Sequence, residues 1–313
     1  MPKVSVIIPV YGVEQYIERC ARSLFEQTLD DLEYLFIDDC TPDKSVEIFK
    51  QVLEEYPQRK NQVIIHRMEQ NSGLPKVREW GIRNATGNYV IHCDSDDWVD
   101  STMYEKMYNH AIKKKSDLVF CDYKISKGVN KKSEYVFRKN IKDCSRKSVF
   151  KMLLTSSALN PVWTALVRRE LYDGMIFPTG AMSEDKTIMM QLVWKAENIT
   201  YISQAFYYYY LSDTSILRTI NKEANVRKFR QTIENRYILL RFFDEEKIHI
   251  PHRLLDAFLF SAKDGLLEPF LDDPECKRLW YDTFPMSIWR VLTNPYIHLK
   301  SKIKFLIIRW NHR

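Results

Sequence analysis

Glycine is scarce, with 8 in 313 residues, and only Gly12 follows the first apolar strand candidate. The G-x-G-x-x-G turn that a dinucleotide-dependent dehydrogenase places there is therefore missing. So is the glycine-rich phosphate loop expected after the first strand of a sugar nucleotidyltransferase. The six cysteines (Cys20, Cys40, Cys93, Cys121, Cys144, Cys276) show no C-x-x-C spacing and read as reduced, mostly core thiols. His249 and His252 flank Pro251 in a loop-like stretch and give no zinc-ligand spacing. No segment approaches the roughly 18 consecutive apolar residues of a membrane span. The run Val4 to Val10 is interrupted by Ser5 and Pro9 and is too short for a signal peptide. A cytoplasmic location is expected, and no nucleic-acid partner. Neither an internal repeat nor a low-complexity tract is present.

An apolar fraction of 45% excludes global disorder. Aromatics at 13% suit stacking surfaces as well as cores. Over the first 125 residues β and α signals alternate with short connections, which predicts an α/β fold with a largely parallel sheet. Strands are expected at Val4–Pro9, Glu33–Ile37, Val63–His66, Tyr89–Cys93 and Leu118–Cys121. Helices are expected at about Glu14–Phe25, Lys44–Tyr56, Lys76–Asn84 and Tyr104–Lys114. Thr41 before Pro42 predicts one helix start, and Thr102 with Glu105 predicts a capping box. From Lys124 to about Asn160 periodicity fades and ten basic residues face only Glu134 and Asp143. Order returns in 161–216, with an amphipathic helix at Ile188–Trp194 and the tyrosine run Tyr207–Tyr210, and helices follow from Asn221.

Asp94-Ser95-Asp96-Asp97 stands directly after an apolar strand. Three carboxylates in four residues repel one another, and a hard divalent cation bound through oxygen is the usual compensation. Capping is the alternative use of such aspartates, but Thr102 and Glu105 are expected to fill it. A second pair, Asp38-Asp39, also ends an apolar strand. Ligands of open α/β sheets bind beyond the carboxyl ends of strands, which places both clusters on one edge beside Tyr11. There Tyr11 is positioned to stack on a base, and Asp38 or Asp39 to accept from its N–H edge.

Together these residues carry a resemblance. Lys3-Val4-Ser5-Val6-Ile7-Ile8-Pro9-Val10-Tyr11, then Ile37-Asp38-Asp39, then Asn71-Ser72-Gly73-Leu74 with Arg78 and Gly81, then Ala85-Thr86-Gly87 leading into Asp94-Ser95-Asp96-Asp97, resembles family 2 glycosyltransferases of the GT-A fold. The match is continuous over about residues 2–125 and sparse to about 218. The resemblance implies a nucleotide-diphosphate-sugar donor, a UDP-sugar in the first instance, a divalent Mn²⁺ or Mg²⁺, inversion at the anomeric carbon, and a glycan or lipid-linked acceptor. It implies a nucleotide-sugar-binding half in 1–125, an acceptor-binding and catalytic-base half in 126–218, and a helical C-terminal extension in 219–313.

Residue by residue, the resemblance puts Pro9, Tyr11 and Asp39 around the nucleobase with Asp38 behind them. Asp94 falls near the ribose or sugar and Asp96 on the metal, with Asp94 as a second ligand. Ser95, Lys76, Arg78 and Arg218 are assigned to the donor. The catalytic carboxylate falls in Glu184-Asp185, with Asp185 as base and Glu184 in reserve; an acidic first helical turn capped by Ser183 is the structural alternative. Departures from the family pattern are Gly12, Pro75, Glu79 and Tyr210, where Asn, Ser, Asn and a basic residue are common. A catalytically silent nucleotide-sugar-binding or scaffold protein is the rival reading, favoured if Asp96 is dispensable.

After Asp282 no acidic residue occurs, while Arg290, Lys300, Lys302, Lys304, Arg309 and Arg313 do. Leu299, Ile303, Leu306 and Trp310 recur at helical spacing beside these bases. A peripheral membrane contact and packing on the protein's own core are the two uses such a stripe has.

Overall fold

Val4 to Val10 is buried along nearly its whole length, as a central strand covered on both faces must be. A computed structural model describes residues 1–127, 134–136, 141, 143–156, 160–211, 220–263 and 265–311. The elements in chain order are β1 (Val4–Val10), α1 (Ile17–Phe25), β2 (Leu32–Asp38), α2 (Ser45–Glu54), β3 (Val63–Arg67), α3 (Leu74–Asn84), β4 (Tyr89–His92), β5 (Trp98–Val99), α4 (Met103–Lys114), β6 (Leu118–Ser126), β7 (Glu134–Val136) and α5 (Arg146–Thr155). They continue with β8 (Ala165–Arg168), α6 (Glu184–Lys195), β9 (Ile199–Tyr210), α7 (Lys222–Glu245), α8 (His252–Phe260), α9 (Pro274–Asp282), α10 (Ile288–Leu292) and α11 (Leu299–Asn311). The chain divides into two units. The first is Met1–Val149, Pro161–Phe177 and Leu192–Asp213; the second is Phe150–Asn160, Pro178–Gln191 and Thr214–Arg313.

In the first unit the strands form one sheet ordered β3-β2-β1-β4-β8-β6-β9-β5, with β7 beside β6. The first four run parallel, and β8 enters antiparallel to both β4 and β6. Helix α1 buries Ile17, Cys20, Ala21, Leu24 and Phe25, an i, i+3, i+4, i+7, i+8 face that joins the sheet in one core. Gly81 lets α3 approach β1 closely, because a Cβ there would lie 2.6 Å from the buried Ile7 Cγ2. At Gly87 a Cβ would lie 2.7 Å from the Ser5 backbone nitrogen. Glu33 accepts hydrogen bonds from Thr86 N–H and Oγ1 at 2.9 and 2.7 Å, so Ala85-Thr86-Gly87 fastens the start of β4 rather than touching a ligand.

Both expected helix starts differ in detail. Helix α2 begins at Ser45, because Asp43 Oδ1 accepts from Thr41 Oγ1 and from Ser45 N–H, drawing the threonine into the preceding turn. The capping box does not form at α4 either. Thr102 donates to Asp100 Oδ1 at 2.6 Å, and Glu105 accepts from Thr28 Oγ1 instead. In the basic stretch after Lys124, where periodicity fades, the described residues form the end of β6, β7 and α5. All six cysteines are free thiols. Among the described residues no helix is long and apolar enough to cross a membrane.

The second unit is helical and packs Phe229, Phe260, Trp280, Val291, Phe305 and Ile308 into a core of its own. Asn221 caps α7 by accepting from Ala224 N–H at 2.8 Å, and Asp273 caps α9. Helix α11 turns Phe305 and Ile308 inward. The stripe Leu299, Ile303, Leu306 and Trp310 is therefore the outer face, with Leu299 72% and Trp310 76% exposed. Lys304 pairs with Glu268, and the Arg309 guanidinium lies over the Tyr281 ring at 5.2 Å.

Candidate functional site

The sheet reverses its winding between β1 and β4. Strand β1 pairs with β2 through Val10 but with β4 only through Ile7. Beyond this point the pairing of β1 with β4 has ended, and Pro9, which has no N–H to donate, extends β1 past it. Tyr11 follows, 51% exposed.

Asp38 and Asp39 end β2, and both are buried. Asp38 accepts from Thr41 N–H at 2.7 Å and from Arg67 at 2.7 Å. Asp39 accepts from the N–H groups of Ser72 and Gly73 at 2.7 and 2.9 Å. It thereby fixes the Asn71-Ser72-Gly73 loop, in which Gly73 takes a φ of +79° that favours glycine. Two motifs separated in sequence thus meet through one carboxylate.

The acidic tetrad follows β4, and its charge is compensated differently from the expectation. Arg78, 2% exposed on α3, pairs with Asp94 at 2.6 Å. Asp97 is buried and accepts from Tyr207 Oη at 2.7 Å and from Tyr210 N–H at 2.6 Å. Burial, followed by the charges of Asp96 and Asp94, pushes Asp97 well above the usual carboxylate range. Tyr207 Oη also accepts from Asp94 N–H at 3.0 Å, so a single phenol joins both ends of the tetrad. The Asp96 carboxyl is pushed up to about 6 by burial and by Asp94. Its backbone carbonyl is held at 2.6 Å by Arg19, whose guanidinium lies over the rings of Trp98 and Tyr210 at 4.0 and 4.8 Å. Repulsion among three carboxylates is thus largely answered by protein groups, which leaves Asp96 as the carboxylate a cation would stabilise most.

Ser95 is buried beside these residues. Lys76 pairs with Glu79 at 2.8 Å, and Arg83 pairs with the same carboxylate at 2.9 Å. The unusual acid at position 79 is therefore neutralised on the surface of α3. Glu184 and Asp185 open α6 in the second unit, with Glu184 buried and Asp185 half-buried. Arg218 lies outside the described residues. The sequence alone assigns no role to Tyr207, Arg19 or Arg67 and marks Asp97 only as one of the three clustered carboxylates. The tyrosine run was visible, but its register against Trp98-Val99, which aims Tyr207 at the tetrad, depends on a long-range strand pairing.

Among the described residues no group of three or more His, Cys, Asp and Glu converges as an all-protein metal cage. Mg²⁺ and Mn²⁺ sites commonly take one or two carboxylates and complete the shell with waters and substrate phosphates, and Asp96 with Asp94 fits that donor set.

The model of glycosyl transferase family 2 matches residues 5–175, more than half of the 313-residue chain. The chain belongs to this family. Among its relatives, glycosyltransferase GlyA of Streptococcus pneumoniae is 28% identical over 69% of this chain and 32% of its own length. The first curated relatives are matched over between 32% and 65% of their lengths. Among solved structures, S. aureus TarS in complex with UDP-GlcNAc is similar with a TM-score of 0.61 and 20% identity, covering 99% of this chain and 91% of that one. The mannosyltransferase PcManGT of Pyrobaculum calidifontis, in complex with GDP-Man and Mn²⁺, is similar with a TM-score of 0.59 and 14% identity, covering 99% and 87%. The fold is the GT-A fold, a mixed sheet flanked by helices, with a helical C-terminal region.

Proposed function

We propose that this family 2 chain transfers a sugar from a nucleotide-diphosphate donor, a UDP-sugar in the first instance, to a hydroxyl of a glycan or lipid-linked acceptor, with inversion and with a divalent metal. The observation that supports this reading is that Asp39 and Asp94 stand just past the carboxyl ends of β2 and β4, the parallel strands flanking β1, Asp39 fastening the Ser72-Gly73 loop and Asp94 paired with the buried Arg78. Residues 1–125 supply the donor half, 126–218 the acceptor half with the base, and 219–313 an extension.

Tyr11 offers an exposed ring on which a base stacks, and Asp39, which already holds the Ser72 and Gly73 N–H groups, is assigned to the base's N–H edge. Asp96 and Asp94 would hold the metal, with Ser95 between them, and the bound ion would supply Lewis-acid neutralisation of charge on the departing diphosphate. Arg78 positions Asp94, while Lys76 and Arg218 are assigned to the donor phosphates. Asp185 takes the proton of the acceptor hydroxyl, and its greater exposure than Glu184 supports that choice. The attacking oxygen then meets the anomeric carbon opposite the nucleotide, which inverts it.

The outer face of α11 supports a peripheral contact with the inner face of a membrane. Leu299, Ile303, Leu306 and Trp310 would enter the interface while Lys300 and Lys302 reach anionic head groups. Each such base adds about 1 kcal/mol near the surface. Incubation with Mn²⁺ and a panel of nucleotide sugars tests the transferase reading. Release of a nucleoside diphosphate from one donor supports it, and inertness toward every donor with intact binding would favour a silent binding protein.

A further inference from the structure

Within the second unit, α6, α7, α8 and the start of α11 line a cavity of about 470 Å³. Its most unusual members are Lys186 and Arg236, both buried. Arg236 lies over the Phe258 ring at 3.9 Å and reaches Ser261 Oγ only at a long 3.5 Å, and its Nε and Nη1 have no partner. Lys186 sits 5.8 Å from the same ring. Among the described residues no carboxylate lies within ion-pair distance of either cation, and none of those lining the cavity is acidic. The remaining wall is rich in hydroxyls, among them Ser183, Ser261 and Ser301.

Two buried cations without a counter-charge are costly to keep, and charges of this kind concentrate where a ligand supplies the missing partner. Burial lowers the Lys186 amine to about 7, with Arg236 adding to the effect, and lowers the Arg236 guanidinium to about 9. Both therefore gain from an incoming anion. A carboxylate would be satisfied by the fork of one arginine. Two cations of different shape, one a planar fork and one a compact ammonium, match the several acceptor oxygens of a phosphate.

We propose that this cavity binds a phosphate group of the acceptor, as a phosphomonoester, phosphodiester or diphosphate. Ser183 lines the cavity two positions before Asp185. The bound phosphate would hold the acceptor close to that carboxylate, a role that rests on the assignment of Asp185 as base.

The test is a calorimetric titration of the full chain with inorganic phosphate and inorganic diphosphate at constant ionic strength. EDTA is present throughout, so the metal-dependent donor site does not contribute, and acetate serves as the carboxylate control. Saturable phosphate or diphosphate binding is expected, with acetate much weaker. Arg236→Met and Lys186→Met should each weaken it by about tenfold or more, since a charge-assisted hydrogen bond is worth about 1.5–3 kcal/mol. Melting curves check that the variants fold. The unsubstituted chain provides a second readout, because phosphate should slow labelling of the Lys186 amine by an acylating probe. Vesicles carrying a polyprenyl phosphate, compared with soluble glycerol phosphate, distinguish a lipid-borne phosphate from a free one. No saturable binding, unchanged binding in both variants, or labelling indifferent to phosphate overturns the proposal. None of these outcomes bears on the donor reading, which is tested with metal present.

Discussion

Replacing Tyr207 with Phe removes one oxygen and little else. The ring is fully buried and stacks on Trp163 at 4.1 Å, so Phe keeps its place. The hydroxyl it deletes accepts from Asp94 N–H at 3.0 Å and donates to Asp97 Oδ2 at 2.7 Å. Each group left without its partner in a dry site costs about 1–3 kcal/mol. The expected loss for the two groups is therefore about 2–6 kcal/mol, read by urea denaturation as a lower midpoint at an unchanged slope. Because Tyr207 and Asp97 share a contact, Asp97→Asn should not add to it; a double-mutant cycle should give a coupling of about 0.5–3 kcal/mol. The loop carrying Asp96 should also loosen, weakening metal-dependent donor binding. A loss below about 0.5 kcal/mol, the size of an ordinary surface change, would mean that the Tyr207 phenol does not hold the tetrad together.

Asp185→Asn should keep donor affinity and lower transfer by about 10²–10⁴, measured by separate binding and turnover assays; near-normal turnover with an inactive Glu184→Gln would transfer the role to Glu184. Since a divalent ion binds only the ionised Asp96, Mn²⁺-dependent donor affinity should fall by up to about tenfold per pH unit below about 6 and level off above it. Without metal the stability trend is opposite: the raised carboxyl binds its proton more tightly in the folded chain, so the stability it contributes below about 3.8 is lost as pH rises through about 6. Ile303→Ser with Trp310→Ser should abolish cosedimentation with anionic vesicles without unfolding the chain, since both side chains are exposed while Phe305 and Ile308 hold the core. Equal sedimentation of the variant, or equal binding to neutral vesicles, would contradict the membrane assignment.

The donor edge was legible because it is written locally. An apolar strand followed at once by acids, as at Ile37-Asp38-Asp39 and Cys93-Asp94, needs no long-range information to place the acids at a strand end. Helix boundaries were less legible where neighbouring acids compete for the cap, as Asp43 and Asp100 do for Thr41 and Thr102. Arg78 could be seen as basic but not as the buried partner of Asp94, because that pairing depends on how closely α3 approaches β1 over Gly81. Tyr207 was hidden for a related reason. Its phenol reaches the tetrad only after β9 has crossed more than a hundred residues of chain to pair with β5. The stripe on α11 was visible as a period, but only the inward turn of Phe305 and Ile308 decides which side faces out.

Whether the chain binds a nucleotide sugar through a metal on Asp96 is decided by calorimetric titration of a UDP-sugar panel into the wild-type chain and Asp96→Asn, with Mn²⁺ and then with EDTA. Saturable binding of at least one donor by the wild type in Mn²⁺ is expected, with affinity lost in EDTA and in the variant. Binding of equal strength in all of these conditions, or no binding of any nucleotide sugar, would contradict it.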